Sequence, residues 1–467
     1  MSEQTADTLY QKRIPIYPRS VKGRFRNLKY GILALAYGVY FLLPWVRWAR
    51  PNAPDQAVIF DIPDRVFYIF GLTMHPQDMY WLAGFLVIAA MLLFMVTGIA
   101  GRVFCGYFCF QTLWTDVFTS LEHLIQGERP ARMRLDKAPW GAEKLTKKGL
   151  TWAAWLGVAF LTGLTFTLYW GNAPTLVYQF FTGQAPFPAY ATTFFLTATT
   201  FVMAGLAREQ VCTYMCPYAR FQSAMFDQDT LIVSYDPNRG ENRHKVSKEL
   251  RTREARQAQG VGDCIECGYC VQVCPTGIDI RNGLQYQCIS CALCIDACDT
   301  IMDKMGWPRG LIRYTSDKEL RGEKTRIIKP KTLGYATVLT AAILFLGWSI
   351  ANRALYTATV EQIRQPLAVQ LADGRVQNSY EIKLNNKTNR ETVVNIYAIE
   401  LPSGELDLGR LNQITLRPEQ RLRILARVKA DPARLQPGQN PFEMVIVPIS
   451  GLGDEDPIRR DSTFYVP

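Results

Sequence analysis

Eight of the twelve cysteines lie within residues 264–298, which read CIECGYCVQVCPTGIDIRNGLQYQCISCALCIDAC. They form two runs of the spacing Cys-x2-Cys-x2-Cys-x3-Cys, in which three cysteines bind one [4Fe–4S] cluster and the fourth binds its neighbour. Zinc sites seldom use such a doubled run, and disulfide frameworks are typical of small secreted domains. The spacing predicts two [4Fe–4S] clusters, one held by Cys264, Cys267, Cys270 and Cys298, the other by Cys288, Cys291, Cys294 and Cys274.

The residues that follow the two runs differ. Pro275 follows the first run, as in bacterial ferredoxins, whereas Asp299 takes that place after the second. Two adjacent clusters carry electrons, so the remaining sequence must indicate where the electrons go.

Five apolar stretches approach the ~20 residues that a helix needs to cross a bilayer. They begin near Tyr30 and continue at about 80–103, 150–170, 189–207 and 333–350. A buried core element is the alternative for any one of them, but five with a consistent charge bias predict membrane spans. For the first, a cleaved signal peptide is disfavoured by the long basic lead and the lack of a small-residue cleavage site.

Basic residues are concentrated in the N-terminal arm, the 101–148 loop and the cluster region, whereas residues 171–188 carry no charge. The positive-inside bias therefore predicts that the N-terminus and the clusters are cytoplasmic and, after five spans, that the C-terminal domain is periplasmic. The expected location is a bacterial inner membrane. The net charge of +11 does not indicate nucleic-acid binding, because much of the excess of basic residues flanks the apolar stretches and no nucleic-acid-binding motif is present.

The C-terminal region reads as short alternating strands, separated by turns such as Asp373-Gly374 and Asn385-Asn386. This pattern favours an immunoglobulin-like β-sandwich. The predicted fold class is a multi-domain membrane protein with an α-helical transmembrane bundle, a cytoplasmic bacterial-type 2[4Fe–4S] ferredoxin domain and that sandwich. The predicted parts are a basic arm (1–29), a four-helix transmembrane region (30–208), the ferredoxin-like domain (209–332), a fifth transmembrane helix (333–351) and the periplasmic sandwich (352–467). Residues 247–260, SKELRTREARQAQG, are predicted to form a solvated helix without a chemical role.

The four remaining cysteines form two Cys-x3-Cys pairs at the predicted cytoplasmic ends of the second and fourth spans. The first pair is Cys105 and Cys109, and the second pair is Cys212 and Cys216. In a helix, two cysteines at this spacing have Cβ atoms ~5–6 Å apart. This separation is too wide for a disulfide, but it suits two thiolates that bind one soft ion, such as Cu(I), zinc or iron–sulfur iron. Pro217 disfavours helix at Cys216. The alternative is that these cysteines are merely small hydrophobic residues.

Haem and nucleotide cofactors are not indicated. Only three histidines exist, none within a span, and no glycine-rich nucleotide motif is present. His75, with Met74 and Met79, is a weak copper candidate that is more simply a chance cluster, and His123 is predicted to be structural.

The order of these features resembles the CcoG family of cytochrome c oxidase accessory proteins, also called FixG or RdxA. The resemblance covers essentially the whole chain and is most specific in CGYFCFQTLWTDVF, CTYMCPYARFQSAMFDQDTLIVSYDP, the cluster runs and NSYEIKLNNKT. The family pattern has a proline after the last cysteine of each pair. Phe110 departs from it at the first pair.

The resemblance implies a cupric reductase for oxidase assembly. Electrons from a cytoplasmic donor would pass through the two clusters to Cu(II), which Cys105, Cys109, Cys212 and Cys216 would hold as substrate or transient ligand; alternatively these cysteines would reduce copper and become a disulfide. The expected partners are membrane lipid, the electron donor, a copper transporter or chaperone, cytochrome c oxidase assembly factors and a second copy of the chain, but no nucleic acid. Two alternatives remain: an electron carrier with a third iron–sulfur centre at these cysteines, or an assembly scaffold or sensor.

Overall fold

The computed structural model describes residues 15–50, 54–63, 65–247, 249–388, 390–409, 413–450 and 456–467. The chain divides into two compact units, Met1–Trp45 with Asp78–Leu344 and Val46–Gln77 with Phe345–Pro467. The first fourteen residues of the predicted basic arm lie outside the described part.

The described part of the chain contains both long apolar helices and short helices. The helices are α1 (Arg24–Leu42), α2 (Met79–Ala100), α3 (Val103–Tyr107), α4 (Phe110–Gln126), α5 (Arg129–Lys137), α6 (Ala142–Leu168), α7 (Ala173–Phe181), α8 (Phe187–Thr200), α9 (Pro217–Ala224), α10 (Pro237–Gly240), α11 (Arg253–Ala258), α12 (Tyr269–Gln272), α13 (Leu293–Met305), α14 (Asp317–Leu320) and α15 (Pro330–Ala351). A 3₁₀ turn, Leu43–Trp45, extends α1, and a wide π-helical turn, Phe201–Ala207, extends α8.

Among the described residues, five helices are long and apolar enough to cross a membrane, which confirms the five predicted apolar helices. They are α1, α2, α6, α8 and α15, with the two extensions. The most apolar window of α2 has a mean hydropathy of 2.5, yet only 11% of it is buried by protein. Its length and its exposed apolar surface are those of a helix that can cross a bilayer.

The threonine-rich α8 packs tightly against α6. Gly163 allows the α6 backbone to approach the Thr193 carbonyl, where a Cβ would clash. The hydroxyls of Thr167 and Thr193 lie 2.9 Å apart in the same contact. The threonines therefore satisfy each other between helices instead of facing lipid.

The 101–148 segment, predicted as a loop, contains helices α3, α4 and α5 and the first turns of α6. Gly101 ends α2 in a left-handed conformation (φ 57°) that suits glycine. By contrast, the helix predicted over 247–260 is largely wrong, because only α11 is helical there. The alternating acidic and basic residues of that stretch lack an apolar face, and without such a face a helix has little surface to pack against the protein.

The strands form four antiparallel sheets in the described part of the chain. They are β1 (Val58–Asp61), β2 (Val66–Ile69), β3 (Leu72–Met74), β4 (Ile232–Tyr235), β5 (Ile312–Thr315), β6 (Tyr356–Gln362), β7 (Val369–Gln370), β8 (Val376–Asn386), β9 (Thr392–Ile399), β10 (Glu405–Asp407), β11 (Ile414–Leu416), β12 (Arg421–Ala430), β13 (Gly438–Ser450) and β14 (Ile458–Val466). Strands β4 and β5 pair within the first unit, and β1–β3 form a small sheet in the second.

Two sheets of the second unit make the predicted sandwich. Their strand orders are β10-β12-β8-β6, with β7 also paired to β8, and β11-β9-β13-β14. Alternate residues of β8 are buried, so one face of the strand lines a shared core. Strands β6, β10 and β14 lie outside the stretches that the sequence predicts as strands, which are residues 368–374, 378–388, 391–401, 413–430 and 442–450.

One of the two predicted turns is confirmed. Gly374 has the left-handed φ of 84° that a tight turn favours. The turn predicted at Asn385-Asn386 is wrong, because these residues end β8 and pair with Arg421 and Tyr356. The Asn386 side chain donates to the Arg417 carbonyl at 3.0 Å, so here asparagine satisfies a buried strand end.

Candidate metal centre

The two cysteine runs have the same unusual backbone. Glu266 and Gly268 flank the second cysteine of the first run with φ values of 53° and 65°, and Ser290 and Ala292 flank that of the second run with 52° and 61°. Non-glycine residues adopt this left-handed conformation at a cost. Its repetition at equivalent positions shows that both runs wrap around an enclosed volume in the same way.

Each run borders its own cavity. The cysteines that line the first cluster cavity are Cys264, Cys267, Cys270 and Cys298. The cysteines that line the second cluster cavity are Cys270, Cys274, Cys288, Cys291 and Cys294. The fourth cysteine of each run thus lines the cavity of the other run, the exchange that the spacing predicts.

The donor set and surroundings of both cavities suit iron–sulfur clusters. None of the twelve cysteines forms a disulfide. Among the described residues, no three His, Cys, Asp or Glu side chains converge on the position of a single metal ion. A [4Fe–4S] cluster does not need such convergence, because each of its four irons takes its own thiolate. Burial raises the pKa of Cys270 and of Cys288 to about 12. Metal binding must therefore release protons from these thiols.

Polar groups hold the loop around the first cluster cavity. Arg256 is fully buried and its guanidinium donates to the carbonyls of Gly262 (2.9 Å) and Cys264 (3.0 Å). The expectation of a solvated stretch without a role is wrong at this residue. Asp299, which stands where a proline was expected, accepts from the Gly310 backbone N–H at 3.1 Å and fastens the end of the second run to the segment before β5.

The Cys-x3-Cys pairs are not wholly helical. Cys105 lies in α3, whereas Cys109 is extended (φ −66°, ψ 125°) just before α4. Cys212 lies in the wide π-helical turn Val211–Met215, whereas Cys216 is extended (φ −80°, ψ 109°) just before α9. The expectation at Cys216 is confirmed. Phe110 begins α4 as Pro217 begins α9, so the missing proline does not change the backbone.

The four thiols of the two pairs form one electrostatic group. Burial raises the pKa of Cys105 to about 12, and Cys109, Cys212 and Cys216 contribute to the rise, while Arg102 opposes it. Burial likewise raises the pKa of Cys212 to about 11, with Cys109 and Cys216 adding to it. Cys109, Cys212 and Cys216 therefore lie near enough to Cys105 to influence its pKa, although no three of the four thiols converge on one metal position.

Two buried glutamines link the pairs reciprocally. Gln111, just after the first pair, donates to the carbonyls of Met203 (2.8 Å) and Arg208 (3.2 Å), which precede the second pair. Gln222, in α9 after the second pair, accepts from the Cys105 thiol at 3.1 Å. Sequence reasoning missed both residues. The sequence feature that could have identified Gln111 and Gln222 is a polar amide side chain among mostly apolar neighbours.

The N-terminal segment is a structural part of the site. Asp296 of α13 accepts from the backbone N–H groups of Phe25 (3.2 Å) and Arg26 (2.7 Å). The Arg26 side chain forms an ion pair with Asp116 of α4 at 2.8 Å, and Lys29 reaches the same carboxylate at 3.7 Å. Residues predicted only to orient the chain therefore fasten the cluster domain to the helix that follows the first pair.

A cavity of about 80 Å³ with several charged side chains in its wall lies beside the second pair and is here called the arm cavity. Its walls come from the N-terminal segment, from α4, and from Pro275 and Thr276 beside the cluster ligand Cys274. Cys212 is the cysteine that lines it. The charged side chains around it are Arg19, Arg26, Lys29, Asp116, Arg208 and Glu209.

His75, the weak copper candidate, and His123, predicted to be structural, both have structural partners. His75 is 2% exposed, and its Nδ1 accepts from Arg421 of the same unit at 2.9 Å. His123 Nε2 lies 2.9 Å from the Pro18 carbonyl and 2.7 Å from Arg132. Arg132 and Arg208 both form ion pairs with buried Glu122, at 3.0 and 2.6 Å.

The chain matches known families over its cluster and C-terminal regions. Residues 207–317 match a family described as a 4Fe-4S dicluster domain, and residues 346–467 match the IG-like fold at the C-terminal of FixG. Protein RdxA of Cereibacter sphaeroides is 44% identical over 396 residues, which cover 83% of this chain and 82% of the relative. The chain belongs to the FixG and RdxA family.

Other members of the FixG family are also similar. Protein RdxB of Cereibacter sphaeroides is 43% identical over 81% of each chain. Nitrogen fixation protein FixG of Rhizobium meliloti is 36% identical over 98% of this chain and 93% of its own length. The resemblance expected from the sequence is confirmed, and this FixG family member is an iron–sulfur protein of a redox family.

Proposed function

We propose that this protein is a membrane-bound oxidoreductase that reduces Cu(II) to Cu(I) for the assembly of a haem–copper oxidase. The observation that carries the proposal is the linkage of the two pairs beside a ferredoxin-like domain. The Cys105 thiol donates to Gln222 after the second pair, and Gln111 after the first pair donates to the Met203 and Arg208 carbonyls before the second. Thiolates favour Cu(I) over Cu(II), so they assist the reduction thermodynamically.

The cluster ligands in this proposal are the eight cysteines that line the two cluster cavities. One cluster takes Cys264, Cys267, Cys270 and Cys298, and the other takes Cys288, Cys291, Cys294 and Cys274. Bound [4Fe–4S] clusters supply single electrons at potentials well below what Cu(II) requires. Cys267 is exposed, so a soluble cytoplasmic donor would approach the first cluster cavity there.

Copper is the substrate, and the two Cys-x3-Cys pairs are its proposed ligands. Burial raises the pKa of Cys105 and of Cys212 well above neutrality, so both thiols must lose protons when they bind a metal. Metal binding should therefore weaken as the pH falls. Arg102 lowers the pKa of both and thereby favours the thiolates. One electron per ion converts Cu(II) to Cu(I), which a copper chaperone would then carry to the oxidase.

The proposed location is a bacterial inner membrane with the clusters in the cytoplasm. The division of the chain supports it, because the segment between the first two spans belongs to the same unit as the domain after the fifth. In the proposed topology, five spans put both of these on one side and the cysteine-rich regions on the other. The positive-inside bias assigns the latter side to the cytoplasm.

A third iron–sulfur centre at the two pairs is the second candidate, and the absence of a converging single-ion site among the described residues favours testing it. The full chain should be purified in detergent without oxygen, and iron and sulfide counted on the same sample used for Cu(II) reduction. Two [4Fe–4S] clusters correspond to about eight irons per chain. A clear excess that disappears in Cys212→Ser would favour the second candidate.

The copper assay uses the same sample with a chromogenic Cu(I) chelator. Cys212→Ser and Cys216→Ser should abolish the formation of Cu(I) while both cluster signals remain. Met215→Leu is the matched control, because Met215 lies inside the second pair, is exposed and carries no thiol. Unchanged reduction in both serine variants would refute copper chemistry at these cysteines.

A further inference from the structure

The first pair touches the loop of residues 286–291, here called the ligand loop, through a glycine. A Cβ on Gly106 would lie 2.7 Å from the Ile289 carbonyl oxygen, 2.9 Å from Cys291 Cα and 3.0 Å from Cys291 N. Real Cβ atoms essentially never come so close to backbone atoms. Glycine at this position therefore permits a contact between two backbones, one of which carries the cluster ligands Cys288 and Cys291.

The next residue secures that contact. Tyr107 is 3% exposed and its hydroxyl donates to the Cys291 carbonyl at 3.1 Å. Arg102, just before the pair, donates to the carbonyl of Tyr286, and its guanidinium lies over the Tyr286 ring at 4.9 Å. Cys105 itself packs with Ile289 and Cys291 in one apolar cluster. Four neighbouring residues thus converge on the ligand loop.

The equivalent residues of the second pair make no comparable approach. Tyr214 occupies the position of Tyr107 and is 73% exposed. Thr213 occupies the position of Gly106, and its hydroxyl donates to the Glu209 carbonyl of its own turn at 2.9 Å. Cys212 faces Pro275, Thr276 and Ile289 across the arm cavity. Cys212 thus lines a cavity together with residues of the cluster domain, whereas the first pair makes a direct backbone contact with that domain.

We propose that the first pair is the junction through which electrons leave the second cluster cavity, and that Gly106 and Tyr107 are the positioning residues that hold this junction closed. The inference rests on the proposed function for its acceptor: Cu(II) gains one electron to become Cu(I), and the reduced iron–sulfur centre loses that electron. Electron transfer weakens steeply as the gap between bound centres grows. A residue that widens the contact at Gly106 therefore slows the transfer without removing a ligand.

The test compares matched variants of the cluster-loaded full chain in detergent. Gly106→Ala and Tyr107→Phe alter the junction, and Tyr214→Phe makes the same chemical change at the equivalent position of the second pair. The clusters are reduced with dithionite, freed of excess reductant and mixed in a stopped-flow cell with Cu(II), while the iron–sulfur absorption is followed. We expect Gly106→Ala to slow re-oxidation about tenfold or more, since a displacement near 1 Å has effects of that order. Tyr107→Phe should slow it severalfold, and Tyr214→Phe should match the unaltered chain.

Two further readouts separate this role from a merely structural one. Ferricyanide can take electrons at the exposed Cys267 side, so its rate should be unchanged in all variants. A redox titration followed by electron paramagnetic resonance should show that Tyr107→Phe shifts the potential of one cluster only, because hydrogen bonding around a cluster helps to set its potential. Tyr214→Phe should shift neither.

The outcomes are distinct. The inference is overturned if Cu(II) re-oxidises both junction variants at the rate of the unaltered chain. If Gly106→Ala does not bind its clusters, the re-oxidation rate of Tyr107→Phe alone decides whether the inference holds. If Cu(II) fails to oxidise the unaltered chain while ferricyanide succeeds, the proposed copper function fails. In that case the potential still tests the junction: a one-cluster shift in Tyr107→Phe supports it, and an unchanged potential refutes it.

Discussion

The two Cys-x3-Cys pairs share a local backbone but differ in their surroundings. In both, the last cysteine is extended and precedes a helix, α4 after Cys109 and α9 after Cys216. The tyrosine between the cysteines is 3% exposed in the first pair and 73% exposed in the second. Equal spacing therefore produces equal local geometry, whereas the neighbouring elements decide which pair meets the cluster domain and which faces a cavity.

The pairs are also anchored by different forces. Close packing around Gly106 holds the first pair, while charge holds the segment before the second, where Arg208 pairs with buried Glu122. The following predictions test this difference.

The largest effect is expected from Glu122→Gln. It leaves Arg132 and Arg208 without their buried partner, and breaking such a pair costs about 3–5 kcal/mol. The free energy of unfolding of the full chain in detergent, measured with denaturant, should fall accordingly. Glu143→Gln breaks an exposed pair with Lys147 and serves as the control, with no measurable loss expected. Equal stability of the two variants would contradict charge anchoring of the second pair.

A smaller effect is expected when the residues at equivalent positions are exchanged. Gly106→Thr forces a side chain against the ligand loop and should cost about 1–3 kcal/mol by overpacking. Thr213→Gly removes a side chain from a helical turn and should cost less than about 1 kcal/mol. Thermal unfolding of the two variants decides the order. If Thr213→Gly proved the more damaging, close packing would not distinguish the first pair.

The reciprocal glutamines should have similar, moderate effects. Gln222→Leu removes the acceptor of the Cys105 thiol, and Gln111→Leu removes the donor to the Met203 and Arg208 carbonyls. Each loss should cost about 1 kcal/mol, the usual net value of such a hydrogen bond. Denaturant unfolding of the two variants measures this. If only one of the two variants lost stability, only one of the two glutamines would stabilise the contact between the pairs.

The smallest effect is expected from Phe110→Pro, which introduces the proline expected from the family pattern. The first position of a helix needs no backbone N–H donor and suits the fixed φ of proline, so stability should change by less than about 0.5 kcal/mol. Leu113→Pro is the control, because the Leu113 N–H donates to the Cys109 carbonyl and its loss should cost about 3 kcal/mol or more. A large loss in Phe110→Pro would show that the two pairs differ in backbone after all.

Much of the site was readable from the sequence because its signals are local. Eight cysteines at fixed spacing predicted two cavities with exchanged fourth cysteines, and the structure has both. The five apolar helices were equally clear, since length and hydropathy alone define them. Predictions based on polar patterns were less accurate: the charged stretch around Arg256 is mostly nonhelical, and Asn386 ends a strand instead of forming a turn. Polar residues acquire their roles from distant partners, which a local pattern does not contain.

The sequence by itself determined the ligand runs, the apolar helices, the β-rich C-terminal region and the spacing of both thiol pairs, because each depends on residues close together in the chain. The tertiary structure decided how these parts meet. Asp296 fastens the N-terminal segment, Glu122 holds Arg208, and the two glutamines link the pairs, all across long sequence separations. It also decided that Gly106 and Tyr107 contact the ligand loop while Thr213 and Tyr214 do not approach it in the same way. Only packing between distant segments could give two identical spacings different neighbours.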